Sequence, residues 1–434
     1  MQVHRSDDSD SEQVSDALID GDVGLVTGTA RAALRHRDFR VFWSGVFASN
    51  IGTWMQNVLL GAYALRLTGS ATYVGLLAFA QLGPLLFLST VSGVLADTLD
   101  RRRLLVTAQL VQLALALVLA GIALGHHPSS VAIFLCVLAI GIANAMGGPG
   151  MSAIMPSLVP REDLSGAVAL ASVQMNLSRV IGPPIAALIY SKFGASPVFA
   201  INALTYLAAV YSLLAVRYPR RVDSALTERG LARLMSGFRV AAADRLVRLV
   251  LFVVFTFSFI SLNFISFMSV LAVQHYGISP KSTGYGLLYA CFGLGAACGA
   301  VSVGSVFAAR PKSELVRPGL VAFAALLALF ALLHVTDASF PVAFALGYAY
   351  FVVITSLSTV LQEHVDNAVR GRVMALWIMG FGGMVGVGAL AWGPLAHRSV
   401  GALLLLGVAW AVVLAVICAP ARLQSSGASR QPNV

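Results

Sequence analysis

Gly93-Val-Leu-Ala-Asp97-Thr-Leu-Asp100-Arg101-Arg102-Arg103 is the stretch that decides the fold. It lies between two long apolar segments, so its charged residues form a short turn. Charged side chains are costly inside hydrocarbon, and the turn is therefore expected at a membrane surface. Glycine at position 93 lets one helix approach a neighbour closely, and Asp97 stands where a carboxylate pairs with a nearby arginine.

The composition points to a membrane protein. Apolar residues make up 58% of the 434 residues and charged residues 11%, against about 25% charged in a soluble domain. Runs of about 20 apolar residues recur along the chain, and each is long enough to cross roughly 30 Å of hydrocarbon as a helix. The runs are continuously apolar, whereas a barrel needs alternation. An all-α membrane protein is therefore predicted.

Twelve spans are predicted, six on each side of a long basic loop. Their ranges are 41–65, 71–96, 104–125, 131–156, 164–190, 195–216, 249–274, 282–307, 316–335, 340–362, 372–396 and 400–420. These define five parts: a polar, disordered tail (1–37), a first six-helix half (38–216), a linker with an amphipathic helix (217–248), a second half (249–420) and a polar tail (421–434). The first tail has no apolar core and is not a cleaved signal peptide.

The lysines and arginines predict the orientation. Of the 29, only Arg66, Lys192, Lys281 and Arg398 fall on one side of the predicted membrane, and Arg179 falls inside a span. The others lie on the side of both termini, which places the termini in the cytoplasm. The net charge of +10 is mostly this orientation signal, and nucleic-acid binding is not expected. The preference for arginine and alanine is typical of a GC-rich bacterium.

A family resemblance follows from these motifs. The spacing Gly-x-x-x-Asp-x-x-x-Arg-Arg at 93–102 resembles the signature between the second and third helices of the major facilitator superfamily. Segments 34–43, 50–56, 179–183 and 370–374 resemble the branch that contains the enterobactin exporter and the macrolide efflux proteins. Thr98 and Asp100 depart from the signature, where a base and a glycine are usual. Similar turns before residues 164–170 and 369–376 form a weak internal repeat.

The resemblance implies a fold, an activity and two mechanical sites. The fold is twelve helices in two pseudo-symmetric six-helix halves, and the activity is export of a small amphiphilic molecule by alternating access. A latch at the cytoplasmic side would be formed by Gly93, Asp97, Arg101, Arg102, Arg370 and Arg372. The alternative is an ordinary basic turn, which explains the arginines but not the glycine and the acid. Gly182 and Pro183 would mark a helix kink at the interface between the halves.

A substrate cavity is expected where polar residues enter the first, fourth, fifth, seventh and tenth spans. The candidates are Asn50, Gln56, Asn144, Arg179, Asn263 and Tyr348. The alternative for each is a hydrogen bond between helices. Arg179 is the only basic residue deep in a span, roughly 24 Å along the helix from Asp163 and roughly 20 Å from Lys192. It should face a water-filled path and attract a polar or anionic cargo group, or be satisfied by backbone carbonyls and amides.

Other function classes lack their residues. The sequence has no nucleotide-binding loop and no hydrolase motif, and the four cysteines lack metal-ligand spacing, so neither an enzyme nor a cofactor or metal is expected. The predicted partners are a small-molecule substrate, the lipid bilayer of a bacterial cytoplasmic membrane, and protons as the coupling ion, for a monomeric protein. No span holds a deep acid, and His275 and His334 are weak candidates for proton binding. An uptake permease and a membrane sensor or enzyme remain alternatives.

Overall fold

Helices form nearly all of the chain that the structure, a computed structural model, describes: residues 28–98, 100–217, 231–419 and 423. The side chains of 89–98, 101, 148–149, 152–153, 156, 231–236 and 367–368 are outside that description. The first helices are α1 (Ala30–Arg35), α2 (Arg37–Thr68), α3 (Ala71–Thr98), α4 (Arg101–Leu124), α5 (Ser130–Ile154), α6 (Leu164–Phe193) and α7 (Ala195–Ala215). The later ones are α8 (Leu231–Ala243), α9 (Arg245–Thr256), α10 (Asn263–Ser266), α11 (Met268–Gln274), α12 (Thr283–Gly304), α13 (Lys312–Leu332), α14 (Thr336–His364), α15 (Asn367–Ile378), α16 (Met384–Arg398) and α17 (Val400–Ile417).

Short polar residues set several helix starts. Asp100 caps α4 by accepting a hydrogen bond from the Arg103 amide, and Ser129 caps α5 in the same way. Gly69 ends α2 with a positive φ of 64°, a conformation that glycine adopts without strain. The charged turn within 93–103 is therefore a helix boundary: α3 ends at Thr98 and α4 begins at Arg101.

Ten helical stretches in the described chain are long and apolar enough to cross a membrane. Helices α2 and α6 are not among the ten, although they are 32 and 30 residues long. Both contain several polar residues, among them Gln56, Asn57, Gln174 and Arg179. The chain is thus a multi-pass membrane protein, and the two long helices outside the ten are the first and fifth of the twelve predicted spans.

The helices before and after α8 form two groups. In the first group α2 packs against α6 and α7, while α5 packs against α3 and α4. In the second group α14 packs against α12 and α13, and α13 against α17. Two helix pairs join the groups: α3 packs against α16, and α6 packs against α12. The end of the bundle that carries α1 and α8 is called the linker end, and the opposite end is called the far end.

A histidine–aspartate pair fastens the linker end of each group. Asp163, before α6, accepts a hydrogen bond from the Gly28 amide at 3.0 Å and lies 2.8 Å from Nε2 of His36, before α2. Asp244, before α9, lies 2.8 Å from Nε2 of His364, at the end of α14. The Gly28 hydrogen bond, followed by His36, lowers the pKa of Asp163. Burial raises the pKa of Asp244, but its hydrogen bonds, first from the Val247 amide, outweigh that effect and lower it.

The ends of the described chain differ in part from the sequence-based boundaries. The predicted polar tail reached residue 37 and led into a basic amphipathic stretch at 30–40, and the structure has α1 at residues 30–35, packed against α6. Gly166 on α6 leaves room for the backbone of Thr29. The predicted linker helix occupies 231–243, with Arg239 exposed. Residues 1–27, 218–230 and 424–434 of the predicted tails and linker lie outside the described residues.

Candidate functional site

One face of α6 changes from exposed to buried along its length. Helical spacing of three and four residues places Ala169, Ser172, Asn176, Arg179, Pro183 and Ala187 on this face. Ala169 and Ser172 are exposed, Asn176 and Arg179 are half-buried, and Pro183 and Ala187 are buried. The buried part packs against Gly286 of α12 in the other group. The two groups are therefore in contact at the far end and separated at the linker end.

The same change occurs on α12 and α5. On α12, Gly286 and Gly293 are buried while Ala297, one turn further toward the linker end, is partly exposed. On α5, Val131 and Ile142 are exposed on one side, and Asn144 is exposed nearly on the opposite side, because two residues correspond to about 200° of helix rotation. A cavity thus opens between the groups at the linker end, with Asn144 exposed in its wall.

Helix α2 contributes a half-buried face to this cavity. The face carries Trp43, Phe47, Asn50, Trp54, Asn57 and Gly61 at helical spacing. Its opposite side is buried against α7, where Gly45 and Gly52 allow close approach to Ser212 and Asn202. At the far end Gly61 lies beside Ser269 and Tyr285 of the second group. The α2 face therefore runs from the open part of the cavity to the closed part.

Arg179 lies where the open and closed parts meet. Its guanidinium carbon is 4.8 Å from the centre of the Trp54 ring and 4.7 Å from that of Phe351, on α14 of the second group. Its Nε and Nη1 are buried and have no hydrogen-bond partner among the described residues. Each ring contact is worth about 0.5–2 kcal/mol, while a charged side chain at mid-bilayer costs at least about 2.5–3.5 kcal/mol. The rings offset the cost of this charge without satisfying its hydrogen bonds.

The backbone next to Arg179 is also unusual. Proline has no N–H, so Pro183 leaves the carbonyl of Arg179 without its partner four residues on. Gly293 of α12 packs against this carbonyl, and a side chain on Gly293 would meet the carbonyl and the Cγ of Arg179. Helix α6 nevertheless continues through Pro183 to Phe193. The proline and the glycine let the backbones of α6 and α12 approach each other at the depth of the arginine.

A row of aromatic rings extends from this point into the second group. Tyr350 stacks on Phe292 at 5.9 Å and on Phe381 at 6.4 Å, and Phe381 stacks on Trp377 at 6.3 Å. Tyr350 is also edge-on to Phe351, which lies over Arg179. Phe381 belongs to a π-helical turn, Met379–Gly383, which interrupts the helical ladder. The second group therefore presents flat apolar surfaces beside the cation of the first.

A smaller cavity of about 140 Å³ lies between the groups on the far-end side of Trp54. The first group lines it with Trp54, Asn57 and Gln81, and the amide of Gln81 donates a hydrogen bond to Asn57. The second group contributes Ser266, Tyr289 and Val385 among others. Its lining is mainly apolar, with a few polar groups, as in sites for small organic molecules.

The fold and site agree with a comparison against protein families. A family profile described as transmembrane secretion effector, a branch of the major facilitator superfamily, matches residues 28–431. The chain belongs to this family. It is therefore a membrane-embedded transporter of small molecules rather than an enzyme, and the resemblance seen in the sequence is confirmed.

Similar proteins within the superfamily include exporters. The chain is 28% identical to the enterobactin exporter EntS of Shigella boydii over 79% of its own length and 81% of that protein's. It is 31% identical to the staphyloferrin A transporter of Staphylococcus aureus and 27% identical to macrolide efflux protein A of Streptococcus pyogenes. Those two matches cover 41% and 43% of this chain, and 45% and 46% of the relatives, so the aligned segment is less than half of each relative.

Solved structures show the same fold. A mutant form of the nucleoside transporter NupG superposes with a TM-score of 0.72 at 14% identity, over 88% of this chain and 99% of that one. A bacterial homologue of the human lysosomal transporter Spinster, in an inward-facing and unoccupied conformation, gives 0.67 at 16% identity, over 89% and 95%. These likenesses support the transporter fold.

The structure separates the predicted cavity residues of this transporter into two sets. Asn50, Asn144 and Arg179 are on the cavity faces of α2, α5 and α6. Gln56 is buried against α7, where its Oε1 accepts a hydrogen bond from Asn202 at 2.8 Å. Asn263 is fully buried and donates to the carbonyls of Ser258 and Phe259, in the π-helical turn of the seventh predicted span. A hydrogen bond between helices or to the backbone is thus what these two amides make.

Tyr348 also lies away from the cavity, because its ring packs with Val303, Leu315 and Val352 among α12, α13 and α14. The tyrosine that reaches the cation is Tyr350, two residues further along α14. Two residues turn a helix by about 200°, so neighbouring polar positions point in nearly opposite directions. The sequence placed both tyrosines in the right helix without distinguishing their faces.

The predicted latch residues are at the linker end, on both groups. Gly93 and Asp97 are in the last turns of α3, and their side chains, like that of Arg101, lie outside the description. Arg102 donates to the carbonyl of Leu214 on α7. Arg370 donates to the carbonyl of Val365 at 3.3 Å, within its own turn. The backbone of Arg372 lies against Gly237 of α8, which covers the start of α15.

The two histidines suggested for proton binding stack on each other at the far end, with ring centres 4.9 Å apart. Nε2 of His275 lies 3.0 Å from the carbonyl of Ala331. Burial first, and His334 second, lower the pKa of His275, which favours its neutral form. The pair lies within the second group and away from the cavity that opens at the linker end.

Sequence reasoning missed several residues of the site. Ser172, Asn176 and Phe351 line the opening around Arg179, and Gln81 lines the smaller cavity. Ser172 and Asn176 were open to prediction, because they precede Arg179 by seven and three residues on one helix face. Phe351 was not, since its role depends on how the second group packs against the first.

Proposed function

We propose that this transporter is a secondary-active exporter that moves a small amphiphilic organic molecule out of the cell by alternating access, in antiport with protons. The observation that carries the proposal is the cavity between the two groups, open at the linker end and closed at the far end. Such a cavity receives cargo from one side only. The basic residues place the linker end in the cytoplasm, so the cargo enters from inside the cell.

The proposed function also includes an architecture of twelve membrane spans. Helices α2 and α6 span the membrane with the ten more apolar stretches, which gives twelve spans in two pseudo-symmetric six-helix halves that work as a monomer. Polar residues in α2 and α6 are compatible with crossing because they face the cavity or an adjacent helix rather than lipid. The histidine–aspartate pairs support the pseudo-symmetry. Each joins the start of a group's first span to the turn between its fourth and fifth spans, with the acid and the base exchanged.

The latch is proposed to act in the other half of the cycle. When the linker end closes, Asp97 pairs with Arg370 or Arg372 across the halves, and this pairing biases the equilibrium between the two states. The close packing of α8 on α15 supports a role for the linker helix in the same movement. Gly182 and Pro183 serve the contact between α6 and its neighbours, since Gly182 packs directly against α2.

Accumulation assays in a bacterium lacking its own exporters test the proposal. Cells with and without this protein are loaded with erythromycin, enterobactin or staphyloferrin A, chosen from the names of the similar proteins. Export lowers the amount of at least one of them inside, and an uncoupler that collapses the proton gradient restores it. Higher accumulation would indicate an uptake permease. Export that an uncoupler does not change would rule out proton antiport.

A further inference from the structure

We propose that the cargo is an acid with a ring-sized apolar part, and that Arg179 binds its oxyanion. This inference rests on the proposed exporter function and adds the chemical class of the cargo. It starts from a cation whose hydrogen-bond donors are unused. Nε and Nη1 of Arg179 are buried without a partner among the described residues.

No counter-ion of Arg179 is found among the residues that the structure describes. The ion pairs of the described residues lie at the linker end, and none involves Arg179. Its immediate neighbours are Trp54, Phe351 and Tyr350, which bring π-electrons and a hydroxyl but no negative charge. A guanidinium presents planar donors that match a carboxylate, a sulfonate or a phosphate. The missing acceptor is therefore supplied by the cargo.

The apolar part of the cargo has a place of matching size. The cavity beside Trp54 measures about 140 Å³, and a cavity of about 150 Å³ in another protein accommodates a benzene molecule. Trp54 contacts Arg179 and also lines this cavity, so one molecule that spans Trp54 reaches both. Asn57 and Gln81 add amide groups at the cavity wall. The geometry thus favours a cargo in which an aromatic or similarly compact group and an oxyanion lie on the two sides of the Trp54 side chain.

The position of Arg179 also explains how cargo binding affects both groups. Arg179 and Trp54 belong to the first group, whereas Phe351 belongs to the second. An oxyanion that engages the guanidinium competes with its contact to the Phe351 ring, and this contact crosses the cavity at its closed end. Cargo binding therefore acts on the contact that holds the groups together at this depth.

The test uses two probes with the same single ring and opposite charge, benzoate and benzylamine. Thermal unfolding of the purified full-length transporter is followed at increasing concentrations of each. The acid should stabilise the wild-type protein and the amine should not. In Arg179→Gln the apparent Kd for the acid should rise about tenfold or more, since a hydrogen bond to a charged group is lost. Arg317→Gln, which removes an exposed arginine elsewhere, should leave the Kd unchanged.

Two outcomes overturn the inference. One is a wild-type protein that the amine stabilises as much as the acid, or that neither probe stabilises, and this comparison needs no variant. The other is an unchanged Kd for the acid in Arg179→Gln. Arg179→Lys provides a second variant that keeps the charge, and it should bind the acid more weakly than wild type because an ammonium lacks the planar fork.

The result is separable from the exporter proposal. If cells export erythromycin equally well with wild type and Arg179→Gln, and the acid does not bind, export stands and the acidic cargo is wrong. If benzoate binds through Arg179 but no test compound is exported, the anion site stands and the direction or type of transport is wrong.

Discussion

Single hydrogen bonds carry part of the contact between the two groups at the far end. The hydroxyl of Tyr285, on α12, donates to the carbonyl of Val58, on α2, at 3.2 Å. Tyr285 is 1% exposed, so this bond is made away from water. Tyr276 makes a comparable bond, of 2.5 Å to the carbonyl of Phe330, but within the second group. The two tyrosines therefore separate the effect of a contact between groups from that of a contact inside one.

Tyr285→Phe should shift the transporter away from the state described here. A hydrogen bond contributes about 0.5–1.5 kcal/mol, which corresponds to roughly a two- to tenfold change in the ratio of the two states. A cysteine at position 144, in a variant without the natural cysteines, reports the opening at the linker end through its rate of thiol labelling. That rate should fall in Tyr285→Phe and stay constant in Tyr276→Phe. Equal changes in both would show that the bond between groups has no special role.

For single residues, the sequence identified the polar residues inside the spans better than it identified the direction in which each side chain points. Asn50, Asn144 and Arg179 were placed in the cavity because polar groups inside apolar spans need a polar or wet surrounding. Gln56 and Asn263 meet the same need through Asn202 and through backbone carbonyls. Nothing in the sequence distinguishes these solutions, since both partners are distant along the chain or depend on a π-helical turn. The tyrosine contact with Val58 was not foreseen for the same reason.

Helix pairs meet where a glycine lies against a neighbouring carbonyl. Gly75 of α3 faces the carbonyl of Ala389 on α16, which joins the two groups. Gly141 of α5 faces the carbonyl of Ala80 on α3, inside the first group. A Cβ at either position would overlap backbone atoms of the neighbouring helix, and no side-chain movement could relieve that overlap. The two glycines are therefore a matched pair for testing the contact between groups.

Gly75→Ala should alter the conformational equilibrium, whereas Gly141→Ala should lower stability. Overpacking costs about 1–3 kcal/mol, which at the contact between groups is enough to change the ratio of states about fivefold or more. Labelling at position 144 should respond to Gly75→Ala with little change in the melting temperature. Gly141→Ala should lower the melting temperature instead. A melting temperature that falls equally in both variants would contradict the division into two separately packed groups.

Element boundaries were predictable where composition changes sharply. Each of the twelve predicted spans coincides with a helix or with an interrupted row of helices, including α2 and α6 with their polar residues. The π-helical turns in the seventh and eleventh spans were not predicted, because residues 257–261 and 379–383 differ from ordinary helix only in their hydrogen-bond partners. Gly182 and Pro183 predicted a kink, and α6 continues through both residues to Phe193, because proline removes one bond without ending a packed helix.

The whole molecule must exchange an opening at one end for an opening at the other. The contacts at the far end that hold the present state are Tyr285 with Val58, α6 with α12 and α3 with α16. The proposed Asp97 pairing belongs instead to the state in which the linker end is closed. The sequence motif around Asp97 is therefore proposed to act in a state other than the one that these far-end contacts hold, and the side chain of Asp97 lies outside the described residues.

Asp97→Asn should leave insertion and folding intact but reduce export several-fold. The asparagine keeps the size of the side chain and removes the charge that pairs with Arg370 or Arg372. Asp337→Asn, at an exposed acid of the far end, is the control and should export normally. Surface expression and export are measured in the same cells. Normal export by Asp97→Asn would exclude the charge pair from the cycle.

The docking of the first described residues has a consequence for how the protein is made. Gly28 and His36 are held by Asp163, which follows Gly28 by 135 residues along the chain. At about 5–20 residues per second the ribosome needs roughly 7 to 27 seconds to synthesise that stretch, so α1 stays undocked while four spans are inserted. The start of the protein is thus among the last parts of its first half to assemble. Closure of the Gly28–Asp163 contact marks the moment at which the newly made helices have reached their places in the bilayer.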